Sequence, residues 1–78
     1  MSDKIGHEIV RHLAVLGEPK SAWSKELNLV SWNNRDAKFD VRDWAPGHEK
    51  CSKGITLTHQ EAKDLYAALG RYFGGEAR

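Results

Sequence analysis

The 78-residue sequence predicts a single α+β domain, in which a four-stranded antiparallel sheet is followed by one C-terminal helix. Three features support this fold class. The segment 38–44 alternates between charged and apolar residues, as expected for a strand with two different faces. Thr58 and Glu61 have the spacing of a capping box, which marks the start of a helix. Short segments rich in β-branched and aromatic residues, separated by turn signals, precede that helix.

The first two strands are predicted over 7–16 and 21–33. The first segment is aliphatic and ends at a turn signal; a helix is the alternative, because residues 9, 10 and 13 would share a helical face. In the second segment neither the odd nor the even positions are uniformly apolar, which indicates a twisted or bulged strand. The segment 33–36 is predicted to be a turn, because Asn and Asp tolerate left-handed backbone.

The third strand, predicted over 37–45, is central to the interpretation. Phe39 and Val41 share one face, which we expect to pack on the C-terminal helix. Lys38, Asp40 and Arg42 share the other face, where Asp40 is expected to be a salt-bridge partner of the two cations. The sequence Ala-Pro-Gly at 45–47 ends the strand, and a polar, mobile loop is expected over 48–53.

A short fourth strand is predicted over 54–57, and the helix over 59–73, with Gly-Gly at 74–75 as its stop and a frayed tail over 76–78. The helix carries an apolar stripe formed by Ala62, Leu65, Tyr66, Leu69 and Phe73. We expect Leu65 and Leu69 to contribute to the core. The aromatic end of the helix exceeds what one small sheet can cover. A homodimer contact is therefore predicted at Leu69, Tyr72 and Phe73.

Composition argues against several classes of protein. The net charge is +1, so any affinity for nucleic acid must come from local patterning rather than from global charge. Cys51 is the only cysteine, and residues 1–4 lead into no long apolar segment. Both observations indicate a soluble, cytoplasmic protein without a signal peptide or a membrane helix.

No metal site and no catalytic motif is expected. His48, Cys51 and His59 lack the paired spacing of a zinc site. The sequence also contains no nucleophile elbow, phosphate loop or H-E-x-x-H motif. We therefore expect no cofactor, no small-molecule substrate and no enzymatic activity.

Cations and tryptophans together suggest a surface that binds an unpaired nucleic-acid strand, because a duplex hides the faces of its bases. The candidates are Lys25, Lys38, Arg42 and Lys53 for phosphates and Trp23, Trp32 and Trp44 for stacking. We expect the Trp44 ring to stay exposed beside the turn at Pro46, and Trp32 to be the most buried of the three. The plainer interpretation, in which the tryptophans are core or interface residues and the cations a solvated surface, stays open.

Four segments resemble the transcriptional positive cofactor 4 family, most closely its small bacterial YdbC-type members. They are Lys25-Glu26-Leu27-Asn28, Val30-Ser31-Trp32-Asn33, Lys38-Phe39-Asp40-Val41-Arg42-Asp43-Trp44 and Lys53-Gly54-Ile55-Thr56-Leu57. The resemblance implies a curved four-stranded sheet followed by one helix, and a homodimer joined largely through the helices. It also implies single-stranded DNA binding on the sheet surface, in transcription or in the handling of unwound DNA in the bacterial cytoplasm or nucleoid.

The resemblance assigns DNA contacts to the matching residues Lys38, Arg42, Trp44 and Lys53. Asn28 stands where eukaryotic members have a basic residue, and the turn after the second strand lacks their aromatic and extra lysine. The complete predicted interface comprises Trp23, Lys25, Asn28, Ser31, Trp32, Asn33, Lys38, Arg42, Trp44 and Lys53. The alternatives are a protein-interaction adaptor that docks a partner through its tryptophans, and single-stranded RNA binding by the same face.

Overall fold

The computed structural model describes residues 6–19 and 21–74. One antiparallel sheet with the strand order β1-β2-β3-β4 is followed by one helix, which confirms the predicted fold class. The elements are β1 His7–Val15, β2 Ser24–Trp32, β3 Lys38–Trp44, β4 Ile55–Leu57 and α1 His59–Phe73. The expectations for residues 1–4 and 75–78 lie outside the described residues.

The connection between β2 and β3 begins with a tight turn at Asn33 and Asn34. Asn33 and Asn34 both have left-handed backbone, with φ of 53° and 64°, and the Arg35 amide donates to the Trp32 carbonyl at 2.9 Å. Two consecutive left-handed residues match the twist of paired strands, and Asn tolerates that conformation better than most residues. The register between β2 and β3 is regular, from Ser24 opposite Trp44 to Val30 opposite Lys38.

The irregular strand is β1. Its register with β2 shifts between Ile9 and Arg11 and again between His12 and Ala14, where β1 carries the extra residue each time. Bulges of this kind bend a strand and increase its twist. Of the two alternatives predicted for the second strand, twisted or bulged, the bulge is therefore wrong. The mixed pattern of β2 arises because that strand carries buried polar residues on one face and aliphatic residues on the other.

The register divides the sheet into two faces. The polar face carries His7, Ile9, His12, Ser24, Glu26, Asn28, Val30, Trp32, Lys38, Asp40, Arg42, Trp44 and Thr56. The helix face carries Lys25, Leu27, Leu29, Ser31, Phe39, Val41, Asp43, Ile55 and Leu57. The most deeply buried side chains lie on the polar face: Glu26, Asn28, Val30, Asp40 and Trp44.

The helix covers only part of its own face. α1 contacts β3 and β4 near its start, where the His59 ring lies 5.9 Å from the Phe39 ring. An open cleft of about 380 Å³ then separates α1 from the sheet. Leu65 and Leu69 remain 42% and 47% exposed, and α1 contains no buried residue. The expectation that these two leucines belong to the core of the single chain is wrong.

Local signals set the bounds of α1 and of the segment before it. Thr58 Oγ1 accepts from the Glu61 amide at 3.0 Å, and Glu61 Oε1 accepts from the Thr58 amide at 2.8 Å, which completes the capping box. The segment 48–53, expected to be a mobile loop, is hydrogen-bonded to β3 and its end. The Ala45 amide donates to the Lys50 carbonyl, and the Ser52 amide to the Asp43 carbonyl.

Within the described residues, no helix is long and apolar enough to cross a membrane.

Candidate nucleic-acid interface

A buried ion pair lies at the centre of the polar face. Arg42 donates from Nε to Asp40 Oδ1 at 2.6 Å and from Nη2 to Asp40 Oδ2 at 2.8 Å. The Asp40 side chain is fully buried and that of Arg42 is 14% exposed. Burial by itself lowers the pKa of Arg42, but hydrogen bonds to Asp40 and attraction by its charge outweigh burial and raise the pKa. The expected salt bridge of Asp40 is confirmed for Arg42 but not for Lys38, which is exposed at the end of β3.

Two tryptophans stack on the polar face beside this ion pair. The ring centroids of Trp32 and Trp44 are 6.4 Å apart, with 14° between the planes. The guanidinium carbon of Arg42 lies 4.7 Å from the centroid of the Trp32 ring, within the range of a cation–π contact. Trp32 is partly exposed, so its ring can still present area to a ligand.

Trp44 is only 1% exposed, so the expectation of an exposed Trp44 ring is wrong. The His7 ring lies 5.1 Å from it and the His48 ring 5.7 Å. The 3₁₀ turn Pro46–His48, with Gly47 at φ 85°, brings His48 against the tryptophan. The turn at Pro46 therefore covers Trp44 instead of exposing it. The expectation that Trp32 is the most buried tryptophan is wrong for the same reason.

A buried carboxylate beside the tryptophans organises the rest of the polar face. Glu26 is 3% exposed and is hydrogen-bonded to Ser24 Oγ at 2.6 Å, Asn28 Nδ2 at 3.1 Å and His48 Nε2 at 2.9 Å. Burial raises the pKa of Glu26, but these hydrogen bonds and the attraction of His48 outweigh burial and lower it. Asn28 is fully buried, with its Oδ1 2.7 Å from Nδ1 of His12. Its amide is therefore occupied within the chain.

Sequence reasoning missed Glu26, His12 and His48 as members of this layer. The even positions of β2 give a usable signal, because Glu26 lies between Ser24 and Asn28 on the face that also carries Trp32. His48 has no such signal, since its contact with Glu26 depends on how the 3₁₀ turn folds back over the sheet.

The remaining predicted interface residues do not form one surface. Lys38 is exposed on the polar face, at the end of β3 that pairs with Val30. Lys25 lies on the opposite, helix face, where its Nζ is 3.3 Å from Asp43 Oδ2. Ser31 is also on the helix face, and its hydroxyl donates to the Arg35 carbonyl at 2.7 Å.

Three predicted residues lie in the connecting segments. Trp23 precedes β2, is 38% exposed and lines an open cleft together with Lys25. Asn33 sits in the hairpin turn and accepts through Oδ1 from the Gly6 amide at 2.9 Å. Lys53 is exposed just before β4. The polar face thus unites Asn28, Trp32, Lys38, Arg42 and Trp44, whereas the other five residues lie outside it.

Comparison with known proteins places this arrangement in a family. The family model described as Transcriptional Coactivator p15 (PC4) matches residues 20–68, which include β2, β3, β4 and most of α1. A Treponema pallidum (strain Nichols) protein described as "Uncharacterized protein" is 39% identical over 61 residues, covering 78% of this chain and 72% of that protein. PC4 proteins are coactivators that bind single-stranded DNA. The chain belongs to the Transcriptional Coactivator p15 (PC4) family.

Proposed function

We propose that this protein is a homodimeric, non-enzymatic single-stranded-DNA-binding protein that regulates transcription or protects unwound DNA in the bacterial cytoplasm or nucleoid. The observation that carries the proposal is the partly exposed Trp32 ring, held against Arg42 on the polar face that also presents Lys38. Family membership supports the same ligand.

Within this proposal, Trp32 and Lys38 contact the DNA directly. A base stacked on an aromatic ring contributes about 1–3 kcal/mol of binding free energy and tolerates any sequence. Lys38 supplies a phosphate contact, because it is exposed and lies on the same face as Trp32. Arg42 acts as a positioning residue: its guanidinium is fixed by Asp40 and packs on the Trp32 ring, so it orients the platform.

The homodimer would form through α1 and the cleft beside it. An exposed apolar stripe on α1 supports the homodimer. The stripe comprises Leu65, Tyr66, Leu69, Tyr72 and Phe73, all of which are exposed. The radius of gyration is 14.4 Å, whereas a compact domain of this length has about 11.5 Å. A second copy of the chain is the occupant that the family resemblance implies for such a surface, and Leu69, Tyr72 and Phe73 are its proposed contacts.

The test is a fluorescence-anisotropy titration of the protein with oligo-dT, with the matching duplex and with oligo-U. We expect oligo-dT to bind well and the duplex much more weakly, because paired bases cannot stack on Trp32. Trp32→Ala should cost about 1–3 kcal/mol of binding and leave the salt dependence unchanged. Lys38→Ala should lower the slope of log K against log salt by about 0.7, the value for one phosphate contact on a single strand.

Two control variants sharpen the titration. Trp32→Phe retains an aromatic face and should retain most of the affinity. Arg11→Ala removes an exposed cation from the opposite side of the sheet and should leave the salt slope unchanged. If Trp32→Ala and Lys38→Ala both fold and bind oligo-dT like the parent, the polar face is not the binding site. Tighter binding of oligo-U than of oligo-dT would favour RNA as the ligand.

A further inference from the structure

We propose that the cleft next to Trp23 is a pocket for one unpaired guanine base, an inference that rests on the single-stranded-DNA binding proposed above. The cleft has a volume of about 550 Å³ and lies where the β1–β2 connection meets the end of β3. Its apolar lining includes Leu16, Pro19 and Trp23, and its polar lining includes Lys25 and Asp43. This size is within the range of small-molecule sites, which combine apolar walls with a few polar groups.

Trp23 provides the stacking wall of the pocket. Trp23 is 38% exposed, which is the highest exposure of the three tryptophans. Its exposed surface lines the cleft. Proteins that read an unstacked base hold it against aromatic or apolar side chains and hydrogen-bond its Watson–Crick edge. Trp23 and Pro19 can supply the first part of that recognition.

Asp43 and Lys25 provide the polar part, and their chemistry selects guanine. The Lys25 ammonium lies 3.3 Å from Oδ2 of Asp43, and each carboxylate oxygen has two lone pairs, so both oxygens can accept further hydrogen bonds. The guanine edge carries two adjacent donors, N1–H and N2–H, next to the acceptor O6. The carboxylate can accept from both donors while Lys25 donates to O6. Adenine, cytosine and thymine do not offer two adjacent donors.

The backbone around Asp43 is fixed before any ligand binds. Its amide donates to Ser52 Oγ at 3.2 Å, and its carbonyl accepts from the Ser52 amide at 3.0 Å. A pre-ordered group loses less conformational entropy on binding. The exposed ion pair with Lys25 contributes little to folding, so the carboxylate is free to serve a ligand.

The pocket is distinct from the polar face. Lys25 and Trp32 lie on opposite faces of β2, and seven residues of strand separate them by about 24 Å. A bound strand would therefore need several nucleotides to reach both sites. This separation makes the pocket a source of sequence preference and leaves general affinity to the polar face.

The experiment compares oligo-dT of fifteen nucleotides with the same oligonucleotide carrying one central dG, dA or deoxyinosine, each by fluorescence anisotropy with the full chain. A good bidentate contact discriminates by about fivefold or more, so we expect the dG oligonucleotide to bind at least about fivefold more tightly than oligo-dT. Deoxyinosine lacks the N2 amine and should lose most of that gain, and dA should show none.

Matched variants assign the preference to its residue. Asp43→Asn should abolish the guanine preference and leave the affinity for oligo-dT unchanged. Glu18→Gln makes the same chemical change at another residue that lines the cleft and should retain the preference. Loss of preference in Glu18→Gln but not in Asp43→Asn would overturn the assignment. Equal binding of dG and oligo-dT by the parent would overturn the pocket while the proposed function stood, and no binding of any oligonucleotide would overturn both.

Discussion

Replacement of Arg42 by alanine should damage the fold of this protein before it affects any DNA contact. The variant removes the partner of a fully buried carboxylate, since Asp40 bonds both Nε and Nη2 of Arg42. It also removes the donor to the Ser52 carbonyl and the group that packs on Trp32. Of the described contacts of the Asp40 side chain, the bond from Thr56 Oγ1 at 3.0 Å would remain.

The magnitude follows from burial. Removing one partner of a buried ion pair costs about 3–5 kcal/mol, because the other charge stays buried without compensation. The Arg42 side chain is 14% exposed, so solvent screens the pair only weakly. For a domain of this size, each kcal/mol corresponds to a fall in Tm of about 4–8 °C. We therefore expect Tm to fall by at least about 12 °C.

The assay is thermal and urea denaturation at one fixed protein concentration, because association would make Tm depend on concentration. Lys38→Ala is the control: it removes an exposed cation from the same face of β3 and should change stability by less than about 0.5 kcal/mol. Adding Asp40→Asn to Arg42→Ala should recover part of the loss, because position 40 then no longer carries a buried charge without a partner. If Arg42→Ala melts within about 2 °C of the parent, the buried ion pair with Asp40 does not stabilise the sheet.

Three further perturbations test other parts of the structure. Trp44→Ala should lower the free energy of unfolding by about 3–5 kcal/mol because the ring is buried. Trp23→Ala should lower it much less, and equal losses of the two variants in urea denaturation would contradict this prediction. The pKa of Glu26 is lowered on folding, so its stabilisation is complete above its ordinary value of 4.5 and is lost as the pH falls below it. Glu26→Gln should therefore flatten the fall of Tm between pH 6 and pH 3, and an unchanged profile would refute the role of that carboxylate. Phe73→Glu should shift the sedimenting species from twice the chain mass of 8.8 kDa towards the monomer. Ala67→Glu, about 120° around α1 from Phe73, should not. A parent that sediments as a monomer would refute the proposed dimer.

The order and type of the elements could be predicted because each depends on residues close together in sequence. The capping box needs only Thr58 and Glu61, and the hairpin turn needs only Asn33 and Asn34. Alternation over 38–44 assigns the faces of β3 without any knowledge of the rest of the fold.

The burial of individual side chains could not be predicted in the same way. Alternation places Trp44 on the polar face but does not reveal that His7 from β1 and His48 from the 3₁₀ turn cover it. The prediction that Lys25 and Arg42 share one face of the sheet is wrong. The register pairs Glu26, not Lys25, with Arg42, so Lys25 lies on the opposite face. Both errors concern contacts between residues far apart in the chain, which a local pattern does not contain.

The distribution of buried residues links oligomeric state to DNA binding. The polar face is filled largely by its own ion pair, carboxylate and tryptophan, and Trp32 and Lys38 are the two accessible residues of that face that we propose to contact a strand. The helix face is the less buried one, and its apolar residues gain free energy of about 25 cal/mol for each Å² that a partner covers. Two linked copies would present two such platforms, and linking weak sites raises affinity without any new contact. We therefore expect a variant that dissociates the proposed dimer, such as Phe73→Glu, to bind long oligo-dT more weakly than the parent. A very short oligo-dT, which reaches one platform only, should bind the variant and the parent equally well.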